Sequence, residues 1–238
     1  MRATQFSAVG RFDGRRWRTY TARDGLPEGV GFVSLYQTGE GTIWATGNNG
    51  RLCRLEGDRW KVYPPEQVPQ FSGILASLTA PGRPIWFWEW GQDKAYRFDS
   101  AAQTRWTVYP ELKPDQIYSI GDEVWLARSD GAVRYDGKTW TKYTAADGLI
   151  DGHVWTILRA KDGSLWVAGQ HQGKSAAAHY DGSKWRIFST VDGLVGDNIV
   201  TGYVASNGDL WFGTGLGLVR VRYGLMAGSG MSIRLKKV

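Results

Sequence analysis

The sequence repeats itself about every 42 residues, and a Trp marks the same place in each copy. One landmark is a Trp followed three residues later by an aromatic residue, at Trp17, Trp60, Trp106, Trp140 and Trp185. A second is a Trp preceded by an aliphatic residue, at Trp44, Trp86, Trp125, Trp166 and Trp211. A third, RFDG at residues 11–14 and its variants, stands just before the first. Three landmarks that return in a fixed order indicate tandem structural units.

Each repeat divides into four strand-length segments separated by tight turns. The clearest repeat opens with Ala-Asp-Gly-Leu at residues 146–149, and Asp-Gly pairs at 162–163 and 181–182 are typical of hairpin turns. Segments of this length and spacing predict β-structure, and none has a sustained helical period. We expect four strands in this repeat, the innermost at 153–158 and the others at 164–168, 175–180 and 184–188.

Four strands in a period of about 42 residues are typical of a β-propeller blade. The sequence therefore predicts an all-β, five-bladed β-propeller of four-stranded antiparallel blades, in a single domain over residues 1–238. The repeats cover about residues 11–223, and the tail at 224–238 is unassigned. The last repeat lacks an outer strand, so we expect the N-terminal strand at 15–20 to pair with the strand at 218–223 and close the ring. A truncated larger ring is the alternative, because residues 6–12 resemble a third strand.

Composition agrees with this fold and narrows the partners. The chain contains 32 Gly and 13 Trp, which favours many tight turns between short strands that carry large anchors. The formal net charge is +6, but Lys and Arg form no run of five, so the pattern favours an ordinary surface over a nucleic-acid site. Cys53 has no second Cys to pair with and is expected to be a packed residue.

The sequence contains no apolar run of 18 residues, and its first residues lack an apolar signal core. We expect no membrane span. The cellular location stays open: cytoplasmic if the chain is complete, and periplasmic or extracellular if it is part of a sensor protein.

The repeat resembles the two-component regulator propeller repeat. The resemblance rests on WTKYTAADGL, KDGSLWVAG and VRYDGKTW, and again on WRIFSTVDGL and NGDLWFGTGLGLVR, and it covers nearly all of residues 11–223. It implies a propeller that serves as the sensing part of bacterial signal-transduction proteins, outside the membrane, where some relatives respond to carbohydrates. It implies no catalytic residues, and fold alone does not fix function.

Residues that recur in every repeat are explained by folding: the landmark Trp residues should pack between blades, and the Asp-Gly pairs should form turns. Binding residues are therefore sought where the pattern breaks. Trp88, Trp90 and Trp155 stand outside both Trp series. Trp90 follows a second strand, where an exposed indole would stack on a sugar or another flat ligand, with simple packing as the equal alternative. Trp88 and Trp155 are better explained by packing.

In a propeller, the turn into the innermost strand and the loop between the second and third strands share one face, around the channel mouth. Loops at the ends of a rigid scaffold are the usual place for binding groups. The predicted ligand-binding residues are Trp90, Asp151, His153, His171, Asn198, Glu28 and Asn48. Asp151, His153 and His171 come from adjacent loops of one repeat, but their spacing matches no metal-ligand pattern, so no metal is predicted.

The sequence thus predicts a non-catalytic module that binds or senses a glycan or another small polar ligand at the channel mouth. No cofactor and no catalytic residues are predicted, because no nucleophile and base pair is identifiable. A protein–protein interaction scaffold is the main alternative, since a basic surface suits acidic partners. A propeller lyase or glycosidase that uses Asp115, Asp151 or Asp197 is a weaker alternative. A minimal or engineered propeller with no selected ligand also fits the pattern.

Overall fold

The computed structural model describes residues 8–37, 41–69, 75–77, 83–89, 91–99, 105–196, 198–225 and 231–237. Within these ranges the regular structure consists of β-strands and a few short 3-10 turns, and no α-helix is present. This confirms the all-β prediction. No helix in the described part of the chain has the length and apolarity to cross a bilayer. The chain forms two compact units, Met1–Ser119 and Ile120–Val238, and the prediction of a single domain stays a prediction.

The first unit contains an N-terminal hairpin and two four-stranded antiparallel sheets. The hairpin consists of β1 (Val9–Phe12) and β2 (Trp17–Tyr20). Sheet 1 contains β3 (Phe32–Gln37), β4 (Ile43–Gly47), β5 (Arg51–Glu56) and β6 (Arg59–Tyr63). Sheet 2 contains β7 (Leu75–Ser77), β8 (Ile85–Trp88), β9 (Ala95–Asp99) and β10 (Arg105–Tyr109).

The second unit contains three further four-stranded sheets, and the boundary between the units falls within the first strand of sheet 3. Sheet 3 contains β11 (Gln116–Ile120), β12 (Glu123–Arg128), β13 (Gly131–Tyr135) and β14 (Trp140–Tyr143). Sheet 4 contains β15 (Val154–Arg159), β16 (Leu165–His171), β17 (Lys174–Tyr180) and β18 (Trp185–Phe188). Sheet 5 contains β19 (Ile199–Val204), β20 (Leu210–Thr214), β21 (Gly217–Leu225) and β22 (Met231–Lys237). Sheet 4 confirms the four strands predicted for this repeat, with ends that differ by a few residues.

The Asp-Gly-Leu turns that precede a first strand share one construction. In the clearest of them, a 3-10 turn spans Ala145–Asp147, and the Thr144 N–H donates a hydrogen bond to Asp147 Oδ2 over 2.8 Å. Gly148 follows the turn with a φ of 88°. A side chain at that φ would be strained, which explains the Gly. Leu149 comes next and is buried. The turns that end at Leu26 and Leu194 are built in the same way, so these motifs are structural.

In sheets 1 to 4 the Trp of the second strand packs against the aromatic residue of the outer strand. The ring centroids lie 5.1 to 5.5 Å apart in the stacked pairs Trp44–Tyr63, Trp86–Tyr109, Trp125–Tyr143 and Trp166–Phe188. Neighbouring sheets then meet through the same residues, as in the pairs Trp44–Phe98, Tyr143–Trp185 and Trp166–Phe212. The core therefore lies between successive sheets and combines the repeated aromatic residues with aliphatic residues such as Leu194, Ile199 and Val219.

Nine of the ten landmark Trp residues are buried or half-buried, as expected for anchors between sheets. Trp17 is the exception, with 71% of its surface exposed. It lies on the N-terminal hairpin, where it contacts Phe12 at a centroid distance of 5.3 Å. Cys53 is fully buried, and burial raises the pKa of its thiol to about 12, in agreement with a packed residue.

The prediction that the N-terminal strand at 15–20 pairs with the strand at 218–223 is wrong. The segment at 218–223 lies in β21, and its two edges are taken by β20 and β22. The tail that the sequence left unassigned therefore supplies the fourth strand of sheet 5. β2 pairs with β1 instead, in the register Phe12↔Trp17, and the two strands form a two-stranded sheet.

Candidate functional site

The side chains of Asp151 and His171 contact each other at one end of sheet 4. Asp151 lies in the turn before β15, and His171 ends β16. His171 Nδ1 is 2.8 Å from Asp151 Oδ1, and the Gln172 N–H donates to the same oxygen over 2.8 Å. The Gln172 hydrogen bond, with a smaller contribution from His171, lowers the pKa of the Asp151 carboxyl. This pair therefore presents a carboxylate and an imidazole, both partly exposed, in a fixed arrangement.

His153 joins the same pair of loops through its backbone. The Gln170 N–H donates to the His153 carbonyl over 3.0 Å, and the Gly152 N–H donates to the Gln170 carbonyl over 3.0 Å. A Cβ on Gly169 would overlap the His153 carbonyl oxygen, so only Gly allows the loops to approach this closely. The sequence correctly predicted that Asp151, His153 and His171 lie on adjacent loops. We call these three residues the loop cluster.

A bulge in β15 gives the loop cluster an aromatic neighbour that the sequence did not predict. The pairing with β16 skips Trp155, between Val154 and Thr156. The indole stacks on His153 with a centroid distance of 3.6 Å and an interplanar angle of 5°. Bulges occur at the same place in β3 and β19, so this irregularity belongs to the repeat, although the residue types do not reveal it.

The other predicted site residues do not belong to the loop cluster. Asn48 Oδ1 accepts a hydrogen bond from the Gly31 N–H over 3.1 Å, which ties two loops of sheet 1 together. Glu28 is exposed on the turn before β3. Both lie in the first compact unit. Asn198 stands before β19, and its Oδ1 is buried without a hydrogen-bond partner. Trp90 lies outside the described residues, so its role as a stacking platform stays a prediction.

A second candidate site is a cleft of about 630 Å³ between sheets 3 and 4. Its wall includes the Asp162–Gly163 and Asp181–Gly182 turns, which stand at the end of sheet 4 opposite to the loop cluster. The volume falls within the range of small-molecule sites in proteins. The side chains that line this cleft include Glu123, Trp125, Arg134, Arg159, His179 and Tyr180. We call it the intersheet cleft.

Glu123 organises the charges of the intersheet cleft. Its Oε1 accepts a hydrogen bond from Arg134 over 2.5 Å, and its Oε2 accepts one from Arg159 over 3.0 Å and one from the Trp125 indole over 2.9 Å. The Glu123 carboxylate raises the pKa of Arg134. Because Arg159 belongs to sheet 4 and the other groups belong to sheet 3, this carboxylate links the two sheets.

His179 stands where every other repeat carries an Arg. The equivalent residues, each opposite a second-strand Trp, are Arg54, Arg97, Arg134 and Arg220. His179 is 7% exposed, its buried Nε2 has no hydrogen-bond partner, and burial lowers the pKa of its imidazole. The cleft is therefore lined by an imidazole at the position where the other sheets have a guanidinium.

The intersheet cleft offers binding groups of several kinds. Arg134 and Arg159 are donors, Tyr143 and Tyr180 provide aromatic surface, and the Asp181 carboxylate accepts hydrogen bonds from Ser183 and Lys184. Among the described residues, no group of three or more His, Cys, Asp or Glu could hold a metal ion. Sequence reasoning missed this cleft, although the replacement of the repeated Arg by His179 was a visible signal.

One segment of the chain resembles the two-component regulator propeller repeat. The family model for the two component regulator propeller matches residues 148–171, from the turn before β15 to the end of β16. This confirms the resemblance seen in the sequence, and the matched segment contains the whole loop cluster. No curated protein matches the sequence.

Solved structures similar to this chain have propeller folds. The extracellular domain of BT3049 from B. thetaiotaomicron, described as a hybrid two component system, has 16% identity and a TM-score of 0.59; the match covers 92% of this chain and 35% of that one. The chain thus spans about a third of that domain. A streptogramin B lyase has 17% identity, a TM-score of 0.56 and coverages of 85% and 68%. YCF48 bound to D1 peptide has 14% identity, a TM-score of 0.61 and coverages of 95% and 75%. At these identities the likeness shows a propeller-type fold alone.

Proposed function

We propose that this chain is a non-catalytic binding module for a glycan or another small polar ligand. The intersheet cleft is the observation that carries the proposal. A saccharide presents hydroxyl groups that both donate and accept hydrogen bonds, together with flat C–H faces. The cleft offers guanidinium donors, carboxylate acceptors and tyrosine rings within one volume of ligand size.

Binding is favoured over chemistry because the acidic groups of the cleft already accept hydrogen bonds from the chain. Glu123 is held by two Arg side chains, Asp162 by Ser164, and Asp181 by Ser183 and Lys184. Hydrolysis of a glycoside would need an acid and a second carboxylate placed for their roles. The likeness to a lyase supports the fold and leaves the lyase alternative the weaker one.

Thermal-shift measurements with a panel of neutral and acidic mono- and disaccharides test the proposal. We expect at least one saccharide to raise the unfolding temperature in a saturable manner. Glu123→Gln keeps the shape of the side chain and removes its charge, and it should weaken binding about tenfold. Asp209→Asn is the matched control, because Asp209 forms the equivalent ion pair with Arg220 in sheet 5 and does not line the cleft. Equal losses in both variants, or no shift with any saccharide, would contradict the proposal.

The loop cluster is a second proposed surface for such a ligand, and Trp90, Asn198, Glu28 and Asn48 stay predicted binding residues outside it. Support comes from the exposed His171–Asp151 pair and the stacked His153 and Trp155 rings beside it. His171→Gln should weaken binding if the ligand uses this surface and should leave it unchanged if the ligand uses the intersheet cleft. The two variants therefore assign the ligand to one end of sheet 4 or the other.

A role in sensing and signal transduction, outside the membrane, is part of the proposal. Its support is the matched repeat and the likeness to the extracellular domain of BT3049. A protein-interaction scaffold is the second candidate, because the chain is similar in fold to YCF48 bound to D1 peptide. Crosslinking in cells of the source organism would separate them, since a scaffold should retain protein partners in the Glu123→Gln and His171→Gln variants.

Five blades in a ring are also proposed, on the support of five four-stranded sheets in the described ranges. Small-angle X-ray scattering tests this arrangement. A compact ring of this length should have a radius of gyration of about 18 Å. A much larger value with an elongated distance distribution would contradict it.

A further inference from the structure

Both guanidinium groups of the intersheet cleft already bind one carboxylate of the chain. Arg134 and Arg159 donate hydrogen bonds to the two oxygens of Glu123, over 2.5 and 3.0 Å. Arg159 also donates to the Gly163 carbonyl over 3.1 Å. The positive charges of the cleft are therefore largely neutralised within the chain, and its remaining charges decide which ligand fits.

The other two carboxylates of the cleft, Asp162 and Asp181, each keep one oxygen for a ligand. Asp162 Oδ1 accepts two hydrogen bonds from Ser164. Asp181 Oδ1 accepts two from Ser183 and one from the Lys184 N–H. Within the described ranges, no hydrogen bond reaches Oδ2 of either Asp, and neither carboxylate forms an ion pair with a Lys or an Arg.

Asp181 is ionised at neutral pH. The backbone hydrogen bonds from Lys184 and Ser183 lower the pKa of its carboxyl to about 2, and the charge of the Lys184 side chain contributes less. That Lys184 side chain is exposed. The cleft wall therefore carries a carboxylate whose charge the chain leaves largely uncompensated.

His179 stands where three other repeats place a guanidinium beside the equivalent of Asp181. In those repeats an Arg lies two residues before the acidic residue and interacts with its charge. The pairs are Arg11–Asp13, Arg54–Glu56 and Arg134–Asp136. Sheet 4 keeps the acidic residue and replaces the cation, so one positive charge of the repeat is missing beside Asp181.

The surroundings of His179 do not restore that charge. The imidazole is 7% exposed, and burial lowers its pKa, so it is neutral at neutral pH. Asp162 and Asp181 both act against this shift, which places both carboxylates near the imidazole. Arg186 acts on it too, but its guanidinium lies over the Phe188 ring, 4.7 Å from the centroid. Among the described residues His179 Nε2 has no hydrogen-bond partner, and an unpaired polar atom in a cavity wall is typical of a site that a bound group completes.

We propose that the intersheet cleft binds its ligand through a protonated amine, which pairs with Asp162 and Asp181 and takes the place of the repeated Arg. The inference rests on the proposed saccharide-binding function and names its ligand class, an amino sugar. The ammonium group donates to the Oδ2 atoms, in charge-assisted hydrogen bonds. The Tyr180 ring also lines the cleft, and its face attracts a cation.

An amino sugar fits these groups better than three other ligands. An acidic sugar would bring its carboxylate towards Asp162 and Asp181, and like charges repel. A neutral sugar would give these carboxylates no counter-charge. A metal ion needs more ligands than the cleft offers, because no group of three or more His, Cys, Asp or Glu in the described part of the chain could hold one.

Calorimetric titration with matched pairs of monosaccharides tests the inference: glucosamine and glucose, galactosamine and galactose, mannosamine and mannose. At about pH 6.5 the amines are protonated, since amines of this kind titrate near about pH 8. In at least one pair the amino sugar should bind about tenfold more tightly than its neutral partner. Equal affinities in every pair would overturn the inference and leave saccharide binding intact. Absence of binding by every sugar would overturn both.

Cyclohexylamine separates the contribution of the ammonium group from that of the sugar, because it has a six-membered ring and an amine but no hydroxyl groups. We expect it to bind more weakly than the amino sugar. If it binds as tightly, and glucose, galactose and mannose do not bind, the cation site is supported and the saccharide class is overturned.

Two variants assign the ammonium group to this place. The Asp162→Asn, Asp181→Asn double variant keeps both Oδ1 acceptors, removes both charges, and should bind the two members of a pair equally. His179→Arg restores the repeated guanidinium and should also abolish the preference for the amino sugar. Asp136→Asn is the matched control, because Asp136 accepts the same turn hydrogen bonds in sheet 3 and does not line the cleft.

The control should bind the amino sugar as the wild type does. A preference that survives in both the double variant and His179→Arg, or that Asp136→Asn abolishes to the same extent, would overturn the inference. Circular dichroism of each variant confirms that the fold is retained.

Discussion

Trp166 and His179 lie directly opposite each other on β16 and β17, with their ring centroids 5.0 Å apart. In the other complete sheets an Arg takes the place of this His. The exchange puts a titratable imidazole, whose pKa is lowered by burial, beside a fully buried indole.

The stability of the chain should therefore fall as the pH drops below the ordinary pKa of His, 6.5. Burial lowers the pKa of His179 in the folded chain, so the unfolded chain takes up the proton first, and the loss continues until the pH reaches the folded pKa. Denaturant unfolding at about pH 7.5 and about pH 5.5 measures it. His179→Gln cannot be protonated and should lose less stability over this interval than the wild type. Equal losses would contradict the prediction.

Replacing Trp166 by Ala should destabilise the chain far more than replacing Trp17 by Ala. Trp166 is fully buried in the core between sheets 4 and 5, whereas Trp17 is largely exposed. Trp166→Ala should lower the free energy of unfolding by about 3–5 kcal/mol, and Trp17→Ala by less than about 0.5 kcal/mol. Urea unfolding followed by circular dichroism gives both values. Similar losses would mean that the repeated Trp residues are not anchors.

The hairpin-turn acids should make stability sensitive to acid between pH 4 and pH 2. Asp136 and Asp181 each accept backbone hydrogen bonds within their turns, which lower the pKa of both carboxyls to about 2, below the ordinary 3.8. A carboxyl with a lowered folded pKa contributes stability above its unfolded pKa and loses it as the pH falls through the folded one. The Asp136→Ala, Asp181→Ala double variant should show a smaller fall in unfolding temperature over this interval. A steeper fall would contradict the assignment.

Gly169→Ala should disturb the loop cluster, whereas Gly215→Ala should not. A Cβ at Gly169 would overlap the His153 carbonyl, while one at Gly215 meets no atom within 4 Å. The first change should cost about 1–3 kcal/mol of stability and shift the imidazole resonances of His153 and His171. The second should leave both unchanged. Undisturbed His resonances in Gly169→Ala would show that the two loops do not approach this closely in solution.

The sequence predicted sheet 4 well because its signals are local. Asp-Gly pairs require turns at fixed places, and Trp166 and Trp185 mark the second and outer strands within a few residues. It did not predict β22, because MSIRLKK follows the last landmark and carries none of the repeated residues. The bulge at Trp155 was missed for a related reason: one inserted residue changes which face a side chain points to without changing the pattern of residue types.

Of the two candidate sites, the sequence predicted the one within a single repeat and missed the one between two sheets. Asp151, His153 and His171 were foreseen because their loops belong to one repeat, and a hairpin-like connection brings them together. The intersheet cleft was not foreseen, because Glu123 and Arg159 lie 36 residues apart and meet only when sheets 3 and 4 pack. Such long-range pairs cannot be located from periodicity alone.

Calorimetric titration with the saccharide that gives the largest thermal shift is the most direct test of the binding function. We expect one ligand per wild-type chain, about tenfold weaker binding by Glu123→Gln, and unchanged binding by Asp209→Asn. Absence of saturable heat in the wild type, or an affinity that Glu123→Gln leaves intact, would contradict a binding site in the intersheet cleft.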